Sequence, residues 1–456
     1  MRQRSGFVFL VWAGRLSRFW SRAAVLFCLA LVTGCVTNPI TGKQQFSMVG
    51  KSELITLAKQ AAPSQFAADY GVFNDAQVNA YVTQVGRRLI ATLKPADVVY
   101  PDMPFNFQVV NAVYVNAYAF PDGTVAVTRG MLAELEDESQ LAAVLGHEIA
   151  HVNCGHTAAA MSKSTVYDAL VSGASGYLAS SGSSWADIVS TAGRLGSSVV
   201  LASYSREQER QADQGGLMYM VRAGYDPQGM AALMKLLVRI SGSNPSALEQ
   251  MFATHPMSAE RLQTAETRIR TEYAGRNAGV NQRAAFLAAT APLRKSKPAL
   301  AQFAAAETQL AQKQVAAAKS AAEQGLRLAP NDYVGLMLVA QANQQGGDLA
   351  GTQKAAQAAA SVSPNGALAQ GLLAQCALQR KDFGTALSHL NTLERQVPGD
   401  TRTSFYKGVA LEGQGQKQQA AQAYQQYLQR TGAHSTQGQY AAQRLQQLAP
   451  PPAAAR

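Results

Sequence analysis

A spacing of 34 residues recurs through the last third of the chain and leaves few folds open to it. Pro330, Pro364 and Pro398 stand at this interval, as do Ala340, Ala374 and Gly408, and Asp348, Asp382 and Gln416; Ala386 and Ala420 keep the same step. Proline cannot continue a helix, so each one marks a boundary between helices. A small residue at a fixed phase lets two helices approach closely, and the polar residue falls in the turn between them. A helical hairpin of this size cannot bury its apolar face alone, so copies must stack into a solenoid. Three clear units and a degenerate one starting near Pro298 predict an all-α region over 298–446, with a disordered tail at 447–456.

The phased unit resembles the tetratricopeptide repeat, which implies a concave surface that binds peptide segments or protein surfaces. At the other end, Arg2, Arg4, Arg15, Arg18 and Arg22 precede an apolar run, Ala23 to Val32, and then Leu31-Val32-Thr33-Gly34-Cys35. That is the three-part layout of a secretory signal, with small residues before a Cys as in a bacterial lipobox. Residues 1–34 are read as a lipoprotein signal peptide and Cys35 as the lipidated residue, tethering the chain to a membrane by its lipid. The apolar run is too short to span a bilayer, and no later segment offers eighteen uninterrupted apolar residues. The five leader arginines supply five of the net charge of +11; the mild remainder does not point to nucleic acid. Cys154 and Cys376 are left as either a bridge or two buried thiols.

Between these ends, Val78, Tyr81, Val82, Val85 and Leu89 predict a one-faced helix over 75–93. Strands are expected at Phe105–Val109, Val113–Phe120 and Thr124–Thr128, with Pro121-Asp122-Gly123 as a turn. One long helix is read from about Ser139 to Met161, and others over Tyr204–Ile240 and Ala259–Tyr273. The Gly/Ser-rich residues 172–198 are read as helices, a lid or both.

His147-Glu148-Ile149-Ala150-His151 carries the chemistry. Residues four apart share a side of a helix, so both imidazoles reach one metal ion, with Glu148 beside them to take a proton from water. Leu141, Leu145, Ile149 and Val152 give the same helix a face for the core. A third His at the metzincin spacing is absent, since Thr157 occupies that position and His156 is one residue out of phase. The remaining common arrangement takes a carboxylate from a later helix. Glu209 offers it, with Asp213 four residues on to orient a ligand imidazole; Glu207 is a rival without such an acid. Cys154 and His156 are read as packing or surface residues.

These motifs, together with Asn116-Ala117-Tyr118-Ala119-Phe120-Pro121-Asp122-Gly123, Val127-Thr128-Arg129-Gly130, Tyr204-Ser205-Arg206 and Thr254-His255-Pro256 followed by Arg261-Leu262, resemble the HtpX-like and CAAX-prenyl-protease-like zinc metallopeptidases. The resemblance covers roughly residues 38–275. Lipobox, peptidase region and repeats in this order resemble the periplasmic β-barrel assembly-enhancing proteases of Gram-negative bacteria. The implied fold class is α+β: a mainly helical gluzincin-type peptidase domain with a small β-sheet over 35–285, followed by the all-α solenoid.

The resemblance implies one Zn²⁺ per chain, held by His147, His151 and Glu209, with Glu148 as general base. It makes His255 either a donor to the developing oxyanion or a fourth zinc ligand that holds the enzyme latent. Arg261 is expected to pair with an acid near the site. Asn116 is expected to hold the substrate backbone, and Val125 and Val127 to form a sheet edge to which an extended peptide adds. The expected activity is periplasmic proteolysis of misassembled or unfolded outer-membrane proteins. Outer-membrane anchoring and contact with the assembly machinery through the repeats are expected to accompany it. The competing expectation is a tetratricopeptide chaperone or scaffold whose peptidase domain is latent.

Overall fold

The computed structural model describes residues 35–163, 203–243, 248–276 and 279–448. The signal read at 1–34 and the segment at 172–198 lie outside the described residues, as does the tail beyond 448. An antiparallel hairpin, β1 (Cys35–Thr37) and β2 (Gln44–Phe46), opens the described residues. Asn38 builds its turn, its Oδ1 accepting from the backbone N–H of Ile40 at 3.0 Å and Thr41 at 3.1 Å. Two helices follow, α1 (Lys51–Ala68) and α2 (Ala76–Ile90). The Asp75 side chain caps α2 by accepting from Gln77 and Val78, and Val78, Val82, Val85 and Leu89 form its buried face.

Three strands, β3 (Asn106–Val110), β4 (Ala117–Ala119) and β5 (Thr124–Thr128), form a sheet in the order β3-β5-β4. β5 runs parallel to β3 and antiparallel to β4. This corrects the expectation that Val125 and Val127 form a sheet edge. β5 is the central strand, its main chain is paired on both sides, and both valines are fully buried. The edge is β4.

The Thr128 side chain caps the short α3 (Arg129–Glu134). Every residue of α4 (Glu138–Asn153) is buried. The single helix expected to Met161 is in fact two: the chain turns at Cys154 and Gly155, the latter at φ +63, and helix resumes over 156–163. The pattern over 204–240 is likewise divided, into α5 (Arg206–Arg222) and α6 (Gln228–Ser243), by a turn through Gly224 at φ +79. α7 (Glu249–Thr254) and α8 (Ala259–Thr271) complete the region around the site.

Short helices α9 (Arg283–Ala289) and α10 (Ala291–Lys295) lead into paired helices: α11 (Lys297–Ala311) with α12 (Val315–Leu328), α13 (Tyr333–Gln345) with α14 (Leu349–Val362), α15 (Ala367–Gln379) with α16 (Phe383–Gln396), and α17 (Thr401–Gly413) with α18 (Lys417–Thr431). α19 (Thr436–Leu448) ends the stack and extends helix to residues 447 and 448, read earlier as tail. Ala340, Ala374 and Gly408 are buried at the same place in three successive first helices. A Cβ on Gly408 would lie 2.6 Å from the ring of Tyr424, which shows why the position stays small. Asp348 and Asp382 cap second helices through the N–H of Gly351 and Thr385.

One apolar cluster runs from Val82 and Leu145 through Phe286 and Leu293 to Phe303, Val334 and Leu338, so the first repeats share a core with the region before them. Cys154 and Cys376 are buried, unpaired thiols. Among the described residues, no helix is long and apolar enough to cross a membrane.

Candidate metal centre

α4 supplies His147, Glu148 and His151. The Glu209-bearing helix, α5, crosses it with backbones nearly in contact: a Cβ on Gly216 would sit 2.8 Å from the His147 nitrogen, and one on Gly146 3.1 Å from the Gly216 carbonyl oxygen. His255 caps the C-terminus of α7. His147, His151, Glu209 and His255 each offer one ligand atom, all within 4.8 Å of one another, and all four residues are buried.

The geometry is that of donors converging on one point. His151 Nε2 lies 3.1 Å from His147 Nε2 and 3.3 Å from Glu209 Oε1. His147 Nε2 lies 3.6 Å from Glu209 Oε2. His255 Nδ1 is 3.0 Å from Glu209 Oε1 and 3.4 Å from His147 Nε2, while its Nε2 is 3.8 Å from Glu148 Oε1.

The far nitrogens of both α4 imidazoles are engaged as well. His147 Nδ1 is 3.0 Å from Asp213 Oδ1, and His151 Nδ1 is 2.9 Å from His156 Nδ1. A neutral imidazole that donates from Nδ1 presents a lone pair at Nε2. Two such lone pairs facing each other at 3.1 Å beside a carboxylate repel unless a cation lies among them, so the donor set fits a divalent ion of zinc type.

Charges around the cluster are paired. Arg261 donates to Asp213 from Nε and Nη2, both at 2.7 Å, and its Nη1 lies 2.6 Å from Glu209 Oε2, an ion pair without hydrogen-bond alignment. Burial pushes the Asp213 carboxyl up, but Arg261 and His147 outweigh it and hold the group below its usual range. Glu209 is treated the same way: burial opposes ionisation, and His255, His151 and His147 reverse it. Glu148 goes the other way, raised by burial despite His255 and His147, and its Oε2 is buried with no hydrogen-bond partner among the described residues. Burial holds His156 down to about 4.

Asn116 is completely buried at the start of β4; its Oδ1 accepts from Ala117 N–H at 2.9 Å, and its Nδ2 has no partner among the described residues. The Ala119 N–H on the outer side of β4 bonds to the Glu148 carboxylate, so the β4 edge of the sheet faces the site. A small, mostly apolar cavity opens beside His147, Glu148 and His255 between Ala117, Val144, Met230 and Met234. Cys35 stands exposed at the start of β1.

Two contacts escaped the sequence reading. His156, read as a packing or surface residue, is the former: it is fully buried, and its contact with His151 is the part not foreseen. Tyr204 stacks on His151 with ring centroids 3.8 Å apart. The signal for His156 was Gly155: five residues along a continuous helix is about 140° around the axis, so only a break brings the two rings together.

Residues 76–269 match Peptidase family M48. The chain is 31% identical to a β-barrel assembly-enhancing protease of Yersinia pestis over 45% of this chain and 41% of that one. It is 30% identical to one of Escherichia coli K12 over 43% and 40%. The match therefore spans about two fifths of these relatives. It is also 29% identical to the metalloprotease YcaL of Escherichia coli K12, over 54% of this chain and 95% of that one. Among solved structures, YrrB, a TPR protein with an unusual peptide-binding site, aligns with 45% of this chain and 97% of its own at 16% identity, with a TM-score of 0.30.

Proposed function

From a Peptidase family M48 domain over residues 76–269, we propose that this chain is a zinc-dependent endopeptidase of the bacterial envelope that cleaves misassembled or unfolded outer-membrane proteins. The observation that carries this is the convergence of His147, His151 and Glu209 with Glu148 alongside. Zinc, when bound there, acidifies water and polarises a scissile carbonyl. Glu148 takes the proton of the attacking water and passes it to the leaving amine; the unpartnered Oε2 leaves it an acceptor position, and burial favours the protonated form it needs as the acid. Asp213, clamped by Arg261, holds His147 in place. The substrate backbone adds to the outer edge of β4 rather than to β5, with the unpaired Nδ2 of Asn116 as a further donor to it. This recognition reads main chain more than side chains, which suits misfolded substrates.

Lipidation at Cys35 would tether the enzyme to the outer membrane on its periplasmic side, and the repeats would dock protein partners, the assembly machinery among them. The names of the relatives support this reading. Replacing Glu148 by Gln is expected to lower cleavage of a denatured outer-membrane barrel by about 10²- to 10⁴-fold while zinc, measured by metal analysis, stays bound. Undiminished cleavage rejects the proposal.

A second reading is favoured by His255, whose Nδ1 sits among the ligand atoms. As a fourth ligand it would close the position that water needs, leaving a latent peptidase on a tetratricopeptide chaperone. A strain carrying only Glu148→Gln would then assemble barrels as wild type does, and a full assembly defect in that strain counts against latency.

A further inference from the structure

We propose that the N-terminal hairpin is part of the metal centre: Asn38, Gln211 and His156 form an uncharged hydrogen-bond relay that fixes the ring of His151 and the nitrogen it presents. The inference rests on the reading of the His147, His151 and Glu209 cluster as a zinc site.

The two α4 ligands are supported differently. His147 has an ionised carboxylate behind it, Asp213, locked by Arg261. His151 has a second imidazole, with His156 Nδ1 2.9 Å from its own Nδ1. Donor and acceptor assignments run in one direction from there. His151 turns Nε2 to the cluster as a lone pair, so its Nδ1 carries the proton and donates to His156 Nδ1. His156 then carries its proton on Nε2 and donates to Gln211 Oε1 at 2.9 Å. The orientation of that amide is set from both ends: Gln211 Nε2 donates to Glu207 Oε1 at 3.2 Å, and Asn38 Nδ2 donates to Gln211 Oε1 at 2.8 Å. No link can be reversed without setting two donors or two acceptors against each other.

Asn38 is built to hold its end. Only 2% exposed, it uses Oδ1 for the hairpin turn, and its Nδ2 also donates to Gln45 Oε1 at 3.1 Å. The Gln45 side chain in turn donates to the Cys154 carbonyl oxygen, at the turn that places His156. With Tyr204 stacked on its face, His151 is left with one ring orientation. A hairpin serving only as a tether would need none of these matched bonds. As positioning residues, Asn38 and His156 act on the metal through His151 and touch no substrate.

The test uses the full chain and zinc alone. Zinc affinity is measured by competition with a chromophoric chelator, and thermal melting is recorded on the metal-stripped protein. His156→Phe keeps the ring volume and removes the acceptor; it is expected to weaken zinc binding by about 10- to 100-fold with little change in the metal-free melting temperature. Asn38→Ala should weaken binding in the same direction, and should add nothing when combined with His156→Phe, because the two act through one chain. Wild-type zinc affinity in a folded His156→Phe protein overturns the relay, and so do additive losses in the double variant. If His156→Phe does not fold, Asn38→Ala decides alone: unchanged affinity overturns the proposal. A wild-type protein that fails to bind zinc in the same titration overturns the metal-centre reading as well.

Discussion

The carboxyls set wholly or partly inside this chain are tuned by what stands beside them. Glu209 and Asp213 are ionised inside the protein because imidazoles and the Arg261 guanidinium surround them. Glu307, half-buried on α11 where the repeats meet the peptidase region, has no such partner in contact among the described residues. Burial pushes it up to about 7, eased by a hydrogen bond from the Tyr70 hydroxyl and by the more distant Arg129, and raised further by Asp69. A carboxyl raised in the folded state favours folding by binding its proton there. That contribution is fully present below the unfolded carboxyl range and is lost as pH rises through about 7, where ionisation inside the protein becomes a cost. Glu307→Gln removes the cost. Its melting temperature should exceed that of wild type at pH 8, with the gap shrinking as pH falls from 7 toward 4.5. A gap independent of pH would show that Glu307 is solvated in the folded protein.

Helices α4 and α5 bring the ligands together, and the means is the Gly146–Gly216 crossing. Gly216 is helical, so its need for glycine is one of space: a Cβ there would meet the backbone of His147 at 2.8 Å, and backbone cannot swing aside as a side chain can. Gly216→Ala should therefore separate the helices, cost about 1–3 kcal/mol of stability, and weaken zinc binding because Glu209 and the α4 imidazoles move apart. Loss of stability with unchanged zinc affinity would mean the strain is absorbed elsewhere. The same elements show what a sequence conveys. The four-residue step of His147 and His151 needs only helical geometry, and the 34-residue phase of Ala340, Ala374 and Gly408 only regular stacking, so both were legible. The rank of β5 within its sheet is settled by which strands lie on either side, which alternation along Thr124–Thr128 cannot report. The break at Cys154–Gly155 was marked only by a glycine within a helical pattern, and His156 and Asn38 meet His151 and Gln211 through contacts that no local spacing encodes.

At the scale of the whole molecule, the peptidase region and the repeats are coupled by more than a shared apolar core. Arg129, immediately after β5, donates to both oxygens of Asp332, from Nη1 at 2.6 Å and Nη2 at 3.3 Å, with both side chains buried. Asp332 is also the N-cap of α13, its Oδ1 accepting from Val334 at 2.9 Å and Gly335 at 3.2 Å. One carboxylate thus starts a repeat helix and neutralises a cation from the sheet that borders the site. The two duties can be separated. Asn caps as well as Asp, so Asp332→Asn keeps the helix start while leaving the Arg129 charge buried without a counterion. Breaking a buried pair from one side costs about 3–5 kcal/mol, and that loss should appear in chemical denaturation of the full chain. Replacing both partners, as Arg129→Met with Asp332→Asn, removes the stranded charge and should recover much of it. If the single variant matches wild type, water reaches Arg129 and the pair does not couple the two regions. If the double variant is no better than the single one, the loss lies in the cap and not in the charge.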